Sequence, residues 1–241
     1  LPFQEKEDVI DTIEKTKSLQ PDRLAFYSYA HVPWIKGNGQ RGFNDEDIPK
    51  DEIKRELYET GKELLYKNDY HEIGMDHFAL TTDSLFESFE IGKLHRNFMG
   101  YSSSKTQLMI GLGVSSISDS WYSFAQNVKT IEDYYQLLDT NTIPVIRGHV
   151  LTDEDLIIRR HILNLMCQFE TSWANPKNYF EEIPEVVSQL KEMEKDGLVN
   201  FIPDGIQITE EGKPFVRNIC MAFDLLLKRK APDTALFSMT V

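Results

Sequence analysis

A helix, a tight turn and a strand open this chain, and the unit does not recur in full. Residues 5–19 read as an amphipathic helix with Val9, Ile10 and Ile13 on one face, and Gln20-Pro21-Asp22 stops it. Residues 23–30, apolar, aromatic and too few for an independent helix, read as a strand. Helix, turn and strand make the repeating unit of a parallel α/β sheet or barrel, in which parallel strands need a long crossover between them. A single unit cannot close such a sheet. The expected fold class is therefore α/β, with the other parallel strands supplied from outside these residues.

The rest of the chain reads as a series of shorter elements. Residues 34–47 form a loop rich in Gly and charge, of a length that is usually functional or mobile. A second helix runs to about Lys67, with Ile53, Leu57, Gly61, Leu64 and Leu65 on one face. Residues 70–74 read as a strand, 83–91 as a short helix ended by Gly92, and 131–138 as another amphipathic helix. A compositional change at 147–152 marks a boundary. Beyond it, Thr152-Asp153-Glu154-Asp155 is a helix start with its acids at the positive end of the dipole, and the helix runs to about Phe169. Residues 184–196 form a further helix ended by Gly197. A hairpin follows, centred on Pro203-Asp204-Gly205. Thr209 begins a last helix with Phe215, Val216, Ile219, Phe223, Leu226 and Leu227 on one face. Helix, helix, hairpin, helix is winged-helix-like, so the expected architecture adds a mostly helical C-terminal domain.

Charge narrows the function classes. With 26 basic and 39 acidic residues the chain carries −13, which argues against nucleic acid, since binding phosphates needs clustered Lys and Arg. The short Lys228-Arg229-Lys230 run reads as a helix end matched to its dipole. No apolar run is long enough for a membrane helix. Cys167 and Cys220, far apart and each on a helical pattern, read as small core residues rather than as a disulfide or metal pair. They fit a reducing, cytoplasmic setting. The chain opens Leu1-Pro2-Phe3 without a methionine, as a fragment or a processed product does.

Chemistry concentrates in three dense blocks. They are Gly74-Met75-Asp76-His77-Phe78-Ala79, His95-Arg96-Asn97-Phe98-Met99-Gly100-Tyr101 and Gly111-Leu112-Gly113-Val114-Ser115-Ser116-Ile117-Ser118. Asp76 beside His77 is a kit for proton transfer or for orienting a polar substrate. The same pair also suits a strand end, with the Asp capping a turn and the His paired locally. Neighbours on a strand point to opposite faces, so both serve one site only if the strand ends there. Arg96 offers a planar fork for a carboxylate, or a surface salt bridge of little worth. Ser102-Ser103-Ser104 lacks a nucleophile elbow and reads as loop. The Gly111 segment lacks a dinucleotide fingerprint, and its glycines read as places where a backbone or a ligand comes close. His31, at the C-terminal end of the first strand, is either functional, since that end faces the active site in α/β barrels, or a structural hydrogen-bonder.

These blocks resemble the oxygen-independent coproporphyrinogen III oxidases, radical S-adenosylmethionine (SAM) enzymes of haem biosynthesis, but only their C-terminal half. The same order and spacing hold for Gln20-Pro21-Asp22-Arg23-Leu24, Tyr29-Ala30-His31, Tyr122 with Ala125-Gln126-Asn127, Lys195-Asp196-Gly197-Leu198-Val199 and Arg217-Asn218-Ile219-Cys220-Met221. The resemblance implies oxidative decarboxylation of two propionates of coproporphyrinogen III, with two SAM molecules and a [4Fe-4S] cluster in the full-length enzyme. It implies that Ala30 and Ile117 contact SAM. Asp76, His77 and Arg96 have no carried-over role and are taken as candidates to line the porphyrinogen pocket.

The departure is the cluster. The family's Cys-x3-Cys-x2-Cys triad has no counterpart here, and such clusters are held by thiolates, so no metal ligands are assigned and this stretch alone is expected to be inactive. The architecture implied is the end of a radical-SAM partial (β/α) barrel in residues 1–69, a segment lining the active site in 70–150, and a winged-helix-like cap in 151–241. Its partners would be coproporphyrinogen III and the N-terminal barrel portion, without nucleic acid or membrane. A haem chaperone or a tetrapyrrole-binding protein without oxidase activity is the competing class, and a winged-helix regulator a third.

Overall fold

The computed structural model describes residues 1–32, 40 and 42–230. Half of the expected 34–47 loop, residues 34–39 and 41, lies outside the described residues. Helix α1 (Lys6–Leu19) leads into strand β1 (Arg23–Ala25), and α2 (Asp51–Tyr66) precedes the hairpin of β2 (Tyr70–Gly74) and β3 (His77–Leu80). The three strands form one sheet in the order β1-β3-β2. Val9 and Ile13 of α1 and Leu57 and Leu65 of α2 are buried with Tyr70 and Phe78 in a first core. The Tyr70 hydroxyl donates to the Pro21 carbonyl at 2.6 Å and ties this sheet to the turn after α1.

Helix α3 (Ser84–Glu90) follows, with the Asp83 carboxylate accepting from the Leu85 N–H. Next come a small hairpin, β4 (His95–Asn97) and β5 (Gly100–Ser102), and a four-stranded meander. The meander comprises β6 (Leu108–Met109), β7 (Ile117–Ser120), β8 (Ser123–Asn127) and β9 (Val145–Val150), with α4 (Ile131–Asp139) between its last two strands. Then α5 (Asp153–Gln168), β10 (Glu170–Ser172), α6 (Ile183–Lys195), β11 (Val199–Ile202) and β12 (Gly205–Ile208) precede two short helices, α7 (Val216–Met221) and α8 (Leu225–Lys230). Thr152 and Asp155 form the reciprocal cap that starts α5.

A second core runs from Ile73 to Leu225 and draws Leu85 and Leu94 together with Leu165, Val186, Leu190, Val199, Ile206, Ile219 and Phe223. Each large apolar side chain buried here contributes about 1.5–3 kcal/mol before entropy is counted. His161 sits in this core at 1% exposure. Its Nε2–H donates to the Asn178 carbonyl at 2.7 Å, which leaves Nδ1 to accept from the Thr171 hydroxyl at 2.8 Å.

Burial lowers the His161 pKa, and burial together with Lys105 and Arg159 lowers that of His95. Below the ordinary histidine value of about 6.5 the unfolded chain therefore holds more protons than the folded one. The stability these histidines support is present above that pH and lost as the pH falls through it. The urea midpoint should drop between about pH 7.5 and about pH 5.5, and His161→Gln should flatten that drop.

Two expectations, the length of the first strand and the continuity of the last helix, need correction. The first strand is shorter than residues 23–30, because its pairing with β3 ends one bond past Ala25, at the Phe26 N–H to Asp76 carbonyl contact of 2.8 Å. That pairing is antiparallel, as is every strand pairing among the described residues, and no parallel sheet is formed within them. The last helix is not continuous. A short 3-10 turn at Lys213–Phe215 precedes α7, and the chain turns at Ala222–Asp224 so that Phe223 is fully buried. The Asp224 carboxylate then accepts from the Leu227 N–H and starts α8. Strand β10, which was not expected, pairs with β12 to give a three-stranded antiparallel sheet beside α5 and α6.

Candidate functional site

The β2–β3 hairpin ends at the pair the sequence singled out. Asp76 sits in the turn with φ +60°, a left-handed conformation that Asp tolerates better than most residues, and His77 is the first residue of β3. Strand alternation therefore does not separate the two. His77 Nδ1–H donates to the Met75 carbonyl at 2.7 Å, which fixes the tautomer, and the ring meets Tyr101 edge-on at 5.1 Å. Burial raises the Asp76 carboxyl above the ordinary range, against the pull of Tyr58, His77, Lys62 and Arg96. Burial likewise raises the Tyr58 phenol beside it, helped by Glu72 and Asp76.

Arg96 and Tyr101 face each other across β4 and β5. The guanidinium lies over the Tyr101 ring at 4.6 Å, a cation–π contact, and the Tyr101 hydroxyl donates to the Met166 carbonyl of α5 at 2.9 Å. Among the described residues Arg96 makes no ion pair, and its buried Nη1 has no hydrogen-bond partner. The surface salt bridge considered for it is absent there. Gly74 makes this packing possible, because a Cβ at that position would fall 2.5 Å from Tyr101 Cζ.

A cavity of about 640 Å³ opens beside this cluster, walled by Phe26, Tyr29, Ala30, His31, Lys54 and Tyr58 among others. Ala30 thus lies on the same cavity as Tyr58, the neighbour of Asp76. His31 Nε2 pairs with Asp45 at 2.9 Å, while its buried Nδ1 lacks a partner. Ile117, on β7, is half-buried and is not one of the cavity walls. The third block closes on backbone: a Cβ on Gly111 would sit 2.7 Å from the Ile117 carbonyl oxygen. Asn127 holds the same loop by donating to the Gly111 and Gly113 carbonyls at 3.2 and 2.9 Å.

The structure thus brings Asp76, His77 and Arg96 to one cluster, sets Ala30 on the adjoining cavity and leaves Ile117 apart. Tyr101 stood in its block only as an aromatic neighbour. The spacing of Asn97 and Gly100 around a two-residue turn is the signal that pairs it with Arg96. Tyr58 carried no signal beyond its place on α2. A second link went unanticipated: Arg159 of α5 bonds Asp119 of β7 at 2.8 Å and the Ser120 carbonyl at 2.8 Å, while Asp119 also accepts from the Phe98 N–H at 3.1 Å. Cys167 and Cys220 are free and buried, and burial raises both thiols to about 12. They are neutral core groups, not thiolates.

The mixed α/β fold is similar to that of a solved radical SAM enzyme. It superimposes on the coproporphyrinogen III oxidase (HemN) from Escherichia coli, described as a radical SAM enzyme, with a TM-score of 0.87 and 37% identity over 94% of this chain and 53% of that one. The particular relatives are oxygen-independent coproporphyrinogen III oxidases. That of Escherichia coli is 37% identical over 236 residues, that of Synechocystis 35% over 240 and that of Helicobacter pylori 35% over 233. The first two matches take in 96% of this chain and the third 95%. The chain spans about half the length of these relatives, 51% in each case, and the half it matches is the C-terminal one. No protein-family model matches it.

Proposed function

We propose that this chain is the C-terminal portion of an oxygen-independent coproporphyrinogen III oxidase, acting in the oxidative decarboxylation of coproporphyrinogen III to protoporphyrinogen IX. The observation that carries the reading is similarity at 37% identity along 96% of the chain, together with a shared fold at a TM-score of 0.87. In this reading residues 1–69 complete the barrel, 70–150 line the substrate site and 151–241 cap it as a winged-helix-like unit. A cytoplasmic setting goes with the two unpaired thiols. Among the described residues no helix is long and apolar enough to cross a membrane.

The residues present do not fit an iron–sulfur cluster. Two buried, neutral thiols cannot replace three thiolates, so no step is routed through that group, and its ligands would belong to the N-terminal portion. Ala30 fits a SAM contact as a small wall on the cavity, and Ile117 would contribute through a different face.

What this chain would supply is recognition and shelter. Arg96, stacked on Tyr101 and left with a buried Nη1 that has no hydrogen-bond partner, suits a propionate, because an unmet buried donor costs about 1–3 kcal/mol and a carboxylate would satisfy it. Asp76 and His77 would line the pocket, the carboxyl biased toward its neutral form by burial. A helical cap excludes water from a reactive intermediate. In the enzyme carrying this half, Arg96→Ala should raise KM for coproporphyrinogen III about tenfold or more, with kcat less affected. Unchanged steady-state kinetics would remove Arg96 from the site. Titration with haem tests the reading as a whole, since stable stoichiometric binding without decarboxylation would point to a carrier instead.

A further inference from the structure

A second cavity lies between α5, the start of β4 and the segments that carry Lys105 and Trp121. Its volume is about 540 Å³, in the range of small-molecule sites. Its cationic walls are Lys93, Lys105 and Arg160, joined by His95, Trp121 and Cys167, and no Asp or Glu lines it. That is a marked exception in a chain of 39 acidic and 26 basic residues. A recess with one sign of charge concentrates ions of the other.

None of these three cations is neutralised by an ion pair among the described residues. Among the described residues neither Lys93 nor Lys105 makes an ion pair. Lys105 instead lies over the Trp121 ring at 5.4 Å. Arg160 donates through Nη1 to the Asn178 side-chain oxygen at 2.7 Å and makes no ion pair. Asp119, the acid that acts on His95, is already bonded to Arg159 and to the Phe98 N–H. His95 also lines the cavity, and its ring makes no hydrogen bond among the described residues, which leaves it free to bond a ligand there.

We propose that this cavity binds a small organic anion carrying two or more carboxylate or phosphate groups. Lys93, Lys105 and Arg160 would meet the oxyanions, His95 would supply a hydrogen bond, and Trp121 with the neighbouring leucines would cover the carbon body. With the Cys167 thiol raised to about 12 by burial, the site is built to hold a ligand rather than to attack it. This proposal is independent of the reading that places substrate near Arg96.

The test is calorimetric titration of the 241-residue chain in low salt with two probes, inorganic pyrophosphate and trimesate, a flat benzene tricarboxylate. At least one probe should bind with one-to-one stoichiometry. Pyrophosphate alone would identify a phosphate site and trimesate alone a carboxylate site. The double variant Lys93→Ala with Lys105→Ala, both exposed residues, should weaken binding by about tenfold or more, while Lys191→Ala on α6 should leave it unchanged. The proposal fails if neither probe binds below about 1 mM, if the double variant binds as tightly as the parent, or if the α6 control loses as much.

Discussion

Replacing Arg159 with leucine is expected to destabilise the chain by about 3–5 kcal/mol, the usual cost of stranding one partner of a buried ion pair. Asp119 and Arg159 side chains are 5% and 14% exposed, so water cannot take the missing partner's place. The loss extends beyond one bond. Arg159 also donates to the Ser120 carbonyl and packs over Trp121 and Phe124 at 5.0 and 4.9 Å. Asp119 holds the β4–β5 turn through Phe98. Removing the cation should therefore loosen the hairpin that carries Arg96. The contrast is Arg229, whose pairs with Glu154 and Glu182 are more exposed. Arg229→Leu should shift the urea midpoint far less than Arg159→Leu does, as exposed ion pairs contribute little. Urea unfolding of both variants checks the pair, and equal midpoints would remove Arg159 from its role as the link.

A second large effect belongs to Phe223. Its ring is fully buried and stacks on His161 at 5.2 Å with 25° between the planes. Phe223→Ala should cost about 3–5 kcal/mol, whereas Leu226→Ala, three residues on and 40% exposed, should cost much less. A continuous last helix would have put both residues on one buried face. Comparable losses for the two variants would contradict the break at Ala222–Asp224.

That break shows what the sequence could and could not disclose. Local signals were legible: the Thr152–Asp155 cap of α5, the stop at Gly197 and the turn at Asp204 each act within a few residues, and each appears where the pattern places it. The end of the last helix was not legible, because the apolar spacing runs on through Phe223 while tertiary packing turns the chain to bury that ring. The first strand shows the same limit. Its composition reads as strand to residue 30, yet pairing with β3 ends near Phe26 because β1 is an edge of its sheet.

The candidate site divides in the same way. The Asp76-His77 and His95–Tyr101 blocks stood out by composition, and the hairpins that join them rest on short turns. The Asp119–Arg159 bond spans 40 residues and joins a strand to a helix, so no local pattern announces it. Similarity to a known family carried Ala30 and Ile117, and the geometry sets only Ala30 on the cavity beside the cluster.

The proposed function makes this chain the substrate-facing half of a radical SAM decarboxylase and assigns the radical-generating machinery to the N-terminal half seen in its relatives. The direct measurement is CO2 release from coproporphyrinogen III under anaerobic conditions. It would be made on this chain alone and on a chimera joining it to the N-terminal half of the Escherichia coli oxidase. The account predicts release by the chimera and none by the 241 residues alone. A soluble chimera that loads its iron–sulfur cluster and cleaves SAM, yet releases no CO2 from coproporphyrinogen III, would contradict it. So would turnover by the isolated chain.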